Sequence, residues 1–436
     1  MNKTFNSKYI EGFQFNFLAL PGANYFKLEI VNLFGSNIER VINKQDNKNV
    51  YGISHFTEHL SFRATKDYSS EELLKILKSD GEYNASTDHD RINYFFRTTM
   101  QKMGLAVKLV FNYAFNDLKN IPNEEFEIEK KVVYNEAKRY ADNDQTMFYF
   151  NSVPTVCGYH AEDNVIGIPE TIETFTKDDA IMVKDLFLTH GRHVFNVTYD
   201  PLKQSEEYII NEILKEIKRF DVKTLDFNTT GITRVHDELL GIPNAGVHYL
   251  PNESEQAMNM LFIDNIDNVY TARLGNKYLA NYSETSLDDI IREKNGLTYG
   301  ISLEDHNVSY SPYTIFSCDV SRGTEKTLMR LFDESINASV DNFNEEKLST
   351  LMEIMQLKRT LGYINLKNYE IMHEVALWDG YLITAADNEF AENIDNAILE
   401  LDKQFANFDV MNAYLKDFKN CVNEKDYSFI TNVKGE

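Results

Sequence analysis

Residues 52–62 read GISHFTEHLSF, with His55 and His59 four positions apart and Glu58 immediately before the second histidine. In a helix, side chains at i and i+4 stand one above the other on a single face. The two imidazoles then converge on one point, and Glu58 lies one position out of register. Two neutral ring nitrogens can ligate a metal, and the neighbouring carboxylate can take a proton from a water held there. The bland alternative is a pair of surface histidines beside an exposed glutamate.

Working outward, the flanking segments alternate between strand and helix patterns. YFKLEIVNLFG (25–35) alternates apolar with polar residues and predicts a strand ending at Gly35. SSEELLKILKSDG (69–81) has serine caps, a first-turn glutamate pair, apolar residues at helical spacing and a closing Gly81, which predicts a helix with both ends marked. EYNASTDHDRINYFFRTTM (82–100) predicts a hairpin turning near Asp88–Asp90, and KMGLAVKLVFNYAF (102–115) a helix. PNEEFEIEKKVVYNEAKRYADN (122–143) predicts a long helix with Pro122 near its start and acids in its first turn.

Residues 221–245 lose periodicity and are rich in Thr, Asn and Gly, so they are read as a linker between domains 1–220 and 246–436. The halves end alike. TKDDAIMVKDLFLTHGRHVFNVTYD and NFDVMNAYLKDFKNCVNEKDYSFITN each read as a helix followed by a strand, which hints at a duplicated α+β unit.

Composition narrows the function classes. Lys+Arg 44 against Asp+Glu 68 gives a formal net charge of −24 over 436 residues, which disfavours nucleic acid and favours basic partners. Cys157, Cys318 and Cys421 are widely spaced and build neither a disulfide framework nor a thiolate zinc site. No apolar run approaches the roughly 18 residues that span a bilayer. The N-terminus has neither a clean signal-peptide core nor an arginine-rich transit pattern. The expectation is a protein of the cytoplasm, without a membrane span or nucleic-acid partner.

The pattern H-x-x-E-H with these surroundings resembles the pitrilysin-like (M16) zinc metallopeptidases. LFGSNIER precedes the motif, the hairpin carries the small-residue pattern N-A-x-T at Asn84, Ala85 and Thr87, and EKKVVYNE (129–136) matches the family's later helix segment. The resemblance implies that His55, His59 and Glu136 bind one zinc ion per chain and that Glu58 is the general base. Glu129, two turns before Glu136, is implied to assist catalysis or to hold a ligand; a helix-dipole role is the alternative. In the second half, LDDIIREKNGLTYGIS resembles a family segment whose arginine and tyrosine bind substrate, here Arg292 and Tyr299, although ANYSETS replaces the usual glycine-rich turn before it. The alternative there is an ordinary helix end.

The implied fold is α+β, two similar domains each with an antiparallel-rich sheet flanked by helices. The implied activity is a zinc endopeptidase acting on unstructured peptides in a chamber, with Asn84 and Ala85 at a sheet edge that receives the peptide. Basic peptides are the expected substrates if the negative charge lines that chamber. The short two-domain form implies a homodimer, or a heterodimer with a related chain. Two rivals remain: a non-catalytic processing subunit of the same fold, and a metal-storage module.

Overall fold

In the computed structural model, residues 4–32, 35–46, 48–89, 91–157, 164–191, 193–223, 245–252, 254–264, 269–306, 313–364, 402–403 and 406–434 are described. Their strands form two sheets, one of six strands and one of five. The first contains β1 (Thr4–Ile10), β2 (Phe13–Ala19), β3 (Tyr25–Asn32), β4 (Glu82–Thr87), β5 (Ile92–Thr99) and β6 (His193–Tyr199), in the order β1-β2-β6-β3-β5-β4. The second contains β7 (Gly246–Tyr249), β8 (Gln256–Ile263), β9 (Ile301–His306), β10 (Tyr313–Ser321) and β11 (Ser428–Thr431), in the order β7-β11-β8-β10-β9.

Leaving out β1, the two orders are the same when β2 to β6 are matched with β7 to β11. Even the parallel pairs correspond, β2 with β6 and β7 with β11, whereas the remaining pairs are antiparallel. The faint echo between the sequence halves is thus a repeated topology in an α+β fold.

The first sheet buries Phe15, Phe17, Leu28, Ile30, Phe96 and Phe195 on one face against helices α2 (Ile53–Ser61), α4 (Met103–Ala114), α8 (Lys177–His190) and α9 (Glu206–Arg219). Alternation in β3 predicts a polar face turned to water, but Lys27 and Glu29 are buried as well. A hydrogen-bonded layer satisfies that second face: Asn16 donates to Asn196 at 2.8 Å, and Asn196 donates to Glu29 at 3.1 Å.

Helix α3 (Ser70–Asp80) follows its sequence signals. Ser69 and Glu72 form the reciprocal capping box that satisfies two otherwise unpaired N–H groups. Gly81 ends it for another reason than a left-handed cap. Its backbone is extended, φ 178°, and a Cβ there would lie 2.3 Å from the Arg97 carbonyl oxygen of β5.

Packing groups the described residues into two units, one within 1–142 and 162–239, the other within 143–161, 240–390 and 395–436. Helix α6 (Asp144–Cys157), inside the 1–220 segment of the sequence reading, therefore packs with the second unit. Its Phe148 and Val156 cover Met258, Met260 and Phe262 of β8, Tyr313 and Ile315 of β10, and Ile430 of β11. This apolar face has no counterpart for α6 in the first unit's core cluster. The opposite face of the second sheet packs on helices Val269–Lys277, Glu325–Asp341 and Phe408–Glu424.

Most of the expected linker, residues 224–244, lies outside the described residues. Cys318 and Cys421 are free thiols. Among the described residues no helix is long and apolar enough to cross a membrane.

Candidate metal centre

Helix α2 owes its position to its first residues. Gly52 stands before it in the left-handed region, φ 91°, so close to Gly167 that a Cβ would lie 2.5 Å from the Gly167 Cα. The fully buried carboxylate of Glu39, from α1 (Ile38–Asp46), accepts hydrogen bonds from the Gly52 and Ser54 amides at 2.8 and 2.7 Å. A negative charge at a helix N-terminus complements its dipole and satisfies amides that have no partner within the helix. Phe56 then locks the helix against Phe126 and Phe175, with ring centroids 5.2 and 5.9 Å away.

The second contributor is helix α5 (Asn123–Ala141), which begins directly after Pro122. Phe126, Glu129, Val133 and Ala137 form its buried stripe, and this stripe turns Glu129 and Glu136 toward α2.

The three expected ligands come together. Glu136 Oε2 lies 3.4 Å from His59 Nε2 and 3.9 Å from His55 Nε2, and one donor atom from each residue lies within 4.8 Å of the others. A tetrahedral ion with bonds near 2.0 Å separates its donors by roughly 3.3 Å, so the set fits a zinc ion with small adjustment. His55 is buried, and its Nδ1 has no hydrogen-bond partner.

Glu129 accepts a hydrogen bond at Oε1 from His59 Nδ1 at 2.9 Å, while Arg63 donates through Nε to Glu129 Oε2 at 2.6 Å. With Nδ1 carrying the proton, Nε2 of His59 keeps its lone pair for a metal. Against the effect of burial, the hydrogen bonds from His59 and Arg63 hold the Glu129 carboxyl below its usual range.

Electrostatics divides the two histidines. Burial, followed by the His59 charge, pushes His55 down to about 4. His59 resists its own burial because hydrogen bonds to Glu129 and Glu136 raise it to about 9. Without an ion, then, one ring is neutral and the other holds a proton that a metal must displace. The hydrogen bond from His59 lowers Glu136 and keeps it anionic.

Glu58 is buried beside this set, and Thr87 of β4 donates to its Oε2 at 2.8 Å. Burial raises the Glu58 carboxyl, with His59, Thr87 and Lys184 opposing. Two carboxylates and two imidazoles in different protonation environments can hold a divalent cation and move one proton.

The remaining expected residues fall elsewhere. Asn84 and Ala85 sit on β4, the edge strand of the first sheet, with Asn84 exposed and Ala85 half-buried. Arg292, in a wide helical turn over Asp288–Lys294 of the second unit, donates to Asp288 from Nε at 2.7 Å and from Nη2 at 2.8 Å, and also pairs with Glu293, as an ordinary helix end would have it. Tyr299 stands 98% exposed before β9. It lines a cavity of about 470 Å³ with Phe148, Met258, Asn259, Met260 and Asp319. His160 and His373, without a partner at ligand spacing in the sequence, lie outside the described residues.

Sequence reasoning missed Arg63, Glu39 and Lys184, and noted Thr87 only as part of a pattern. Arg63 stands only four residues after His59, close enough to be weighed with the motif, although α2 ends at Ser61. Glu39 and Lys184 gave no such local signal.

Comparison with known proteins agrees with this geometry. The family model Insulinase (Peptidase family M16) matches residues 43–155. An uncharacterized zinc protease of Rickettsia felis is 22% identical over 386 residues, 85% of this chain and 89% of that protein. Among solved structures, a protease from Helicobacter pylori superposes with a TM-score of 0.72 at 17% identity, covering 98% of this chain and 99% of that one. A peptidase M16 inactive domain from Pseudomonas fluorescens gives 0.71 at 14%, over 98% and 97%. The motif segment thus matches peptidase family M16, and the repeated α+β fold is shared along almost the whole length of the chain.

Proposed function

We propose that this chain is a zinc-dependent endopeptidase acting on unstructured peptides. The observation that carries the proposal is the convergence of His55, His59 and Glu136 with Glu58 beside them. Zinc, when bound, supplies a Lewis acid that makes a water more acidic and polarises the scissile carbonyl. Glu58 is the base. Thr87 holds its Oε2, leaving Oε1 to take the water's proton and pass it to the departing amide nitrogen. Glu129, anchored by Arg63, fixes the His59 ring and acts on catalysis through it.

The edge strand β4 carries Asn84 and Ala85 on the same six residues as Thr87, which supports the reading of a main-chain docking edge next to the base. Peptide strands pairing there through backbone groups would be selected loosely by sequence, and basic ones are favoured by the net charge of −24. Arg292 and Tyr299 complete the proposal as substrate contacts, with a dimer, either homodimer or heterodimer with a related chain, as the working assembly in the cytoplasm.

The likeness to an inactive domain supports a second reading, a scaffold of the same fold. One experiment separates them: metal analysis of the purified chain together with digestion of an unstructured basic peptide, with and without chelator. The peptidase reading expects one zinc per chain and chelator-sensitive cleavage. Glu58→Gln should keep the zinc and lose about 10²–10⁴-fold in kcat. Protein that takes up no zinc and cuts no peptide would favour the scaffold instead, and zinc-loaded protein that cuts no peptide the metal-storage module.

A further inference from the structure

Lys184 of α8 is 1% exposed, an unusual place for an ammonium. Its Nζ donates to Ser61 Oγ at 2.9 Å and to Tyr94 OH at 3.0 Å, and lies 4.8 Å from the centre of the Tyr94 ring. Ser61 in turn donates to the Thr57 carbonyl at 2.8 Å, within α2. Three elements meet at this amine: α8, strand β5 through Tyr94, and the last turn of α2, two residues beyond His59. Lys184 also lines a cavity of about 10 Å³ with Asn32, Tyr94 and His193, space for a single water.

Packing alone does not call for an amine here. A methionine would fill the same slot without desolvating a charge. Nor would its loss orphan the hydroxyls, because Ser61 Oγ and Tyr94 OH are already 3.2 Å apart. What the amine adds is a directional tie from the protein interior to the turn that carries Glu58 and His59, and a positive charge on the buried side of Glu58.

We infer that Lys184 is a positioning residue of the metal centre, fixing the last turn of α2 from behind through Ser61 and thereby the direction of the His59 ring. The inference rests on the metal-centre reading. Burial pushes the lysine down to about 7 even though the Glu58 charge pulls the other way, so the two groups feel each other's charge.

The test compares the full-length chain with Lys184→Met and Ser61→Ala, the second keeping the lysine but cutting its tie to α2. Alanine is well suited to a helix, so that variant folds even if the methionine variant does not. Zinc affinity is measured by chelator competition, and the geometry of the centre by the visible absorption spectrum of the cobalt(II)-substituted protein. Thermal unfolding and peptide kinetics are run beside them. Both variants should bind zinc about tenfold more weakly and shift the cobalt bands. Peptide turnover should fall in kcat with KM held. A variant that lowers only the unfolding temperature, with affinity and cobalt spectrum unchanged, shows a merely structural lysine and overturns the inference. A wild-type chain that takes up metal without cutting peptide overturns the peptidase proposal alone, since affinity and spectrum still decide for Lys184. A wild-type chain that takes up no metal overturns both.

Discussion

Two imidazoles four residues apart are legible in the sequence because helix periodicity is local: once 53–61 is a helix, His55 and His59 must share a face. What orients them is not local. Arg63 reaches Glu129 from 66 positions away, and Thr87 reaches Glu58 from 29. No periodicity within one element could show either pair. The Arg63–Glu129–His59 chain predicts that Arg63→Met and Glu129→Gln each weaken zinc binding about 10–100-fold in a chelator competition, with Arg63→Lys milder than Arg63→Met.

His193 sets a second prediction at this scale. Burial, with the Lys184 charge adding to it, pushes it down to about 3 in the folded chain, whereas an unfolded histidine titrates near 6.5. Between those values the unfolded chain binds the extra proton, so stability falls as pH drops below about 6.5, by about 1.4 kcal/mol per pH unit for this one group. Urea midpoints at pH 7.5 and 5 should therefore move apart less in His193→Leu than in wild type.

At the scale of elements, signals held by neighbouring residues gave reliable ends. The Ser69/Glu72 capping box and the N-terminal Pro122 mark true helix starts. The start of α2 was illegible because its cap comes from another helix: Glu39 is thirteen and fifteen residues from the amides it binds. Replacing Glu39 by Gln leaves the shape but removes the charge from two amide bonds. The expected loss is about 2 kcal/mol in denaturant unfolding, together with weaker zinc retention as α2 loosens. Gly52→Ala should cost at least as much, since it combines a left-handed backbone with a 2.5 Å approach to Gly167. The polar residues of β3 carried a misleading signal. Alternation predicts one wet face, but Glu29 is instead satisfied by Asn196, from a strand far along the chain.

For the whole molecule, the repeat that the sequence barely shows is plain in the strand orders, because topology persists where side chains diverge. Net charge is the one global property readable in advance, and it bears on encounter with substrate. If the negative field steers peptides, kcat/KM for a lysine-rich peptide should fall several-fold between about 0.05 and about 0.3 M salt, whereas an uncharged peptide should hardly respond. Equal salt curves for the two peptides would take the charge out of the mechanism.

Helix α6 lends its apolar side to the second sheet although the chain on either side of it builds the first. Dissection at the 221–245 stretch would consequently produce no pair of self-sufficient pieces. The C-terminal piece would show water a bare patch of Met258, Met260, Phe262 and Ile430, and the N-terminal one would trail a greasy helix in search of it. Two pieces made by cutting the chain there should therefore stay associated through α6 until denatured.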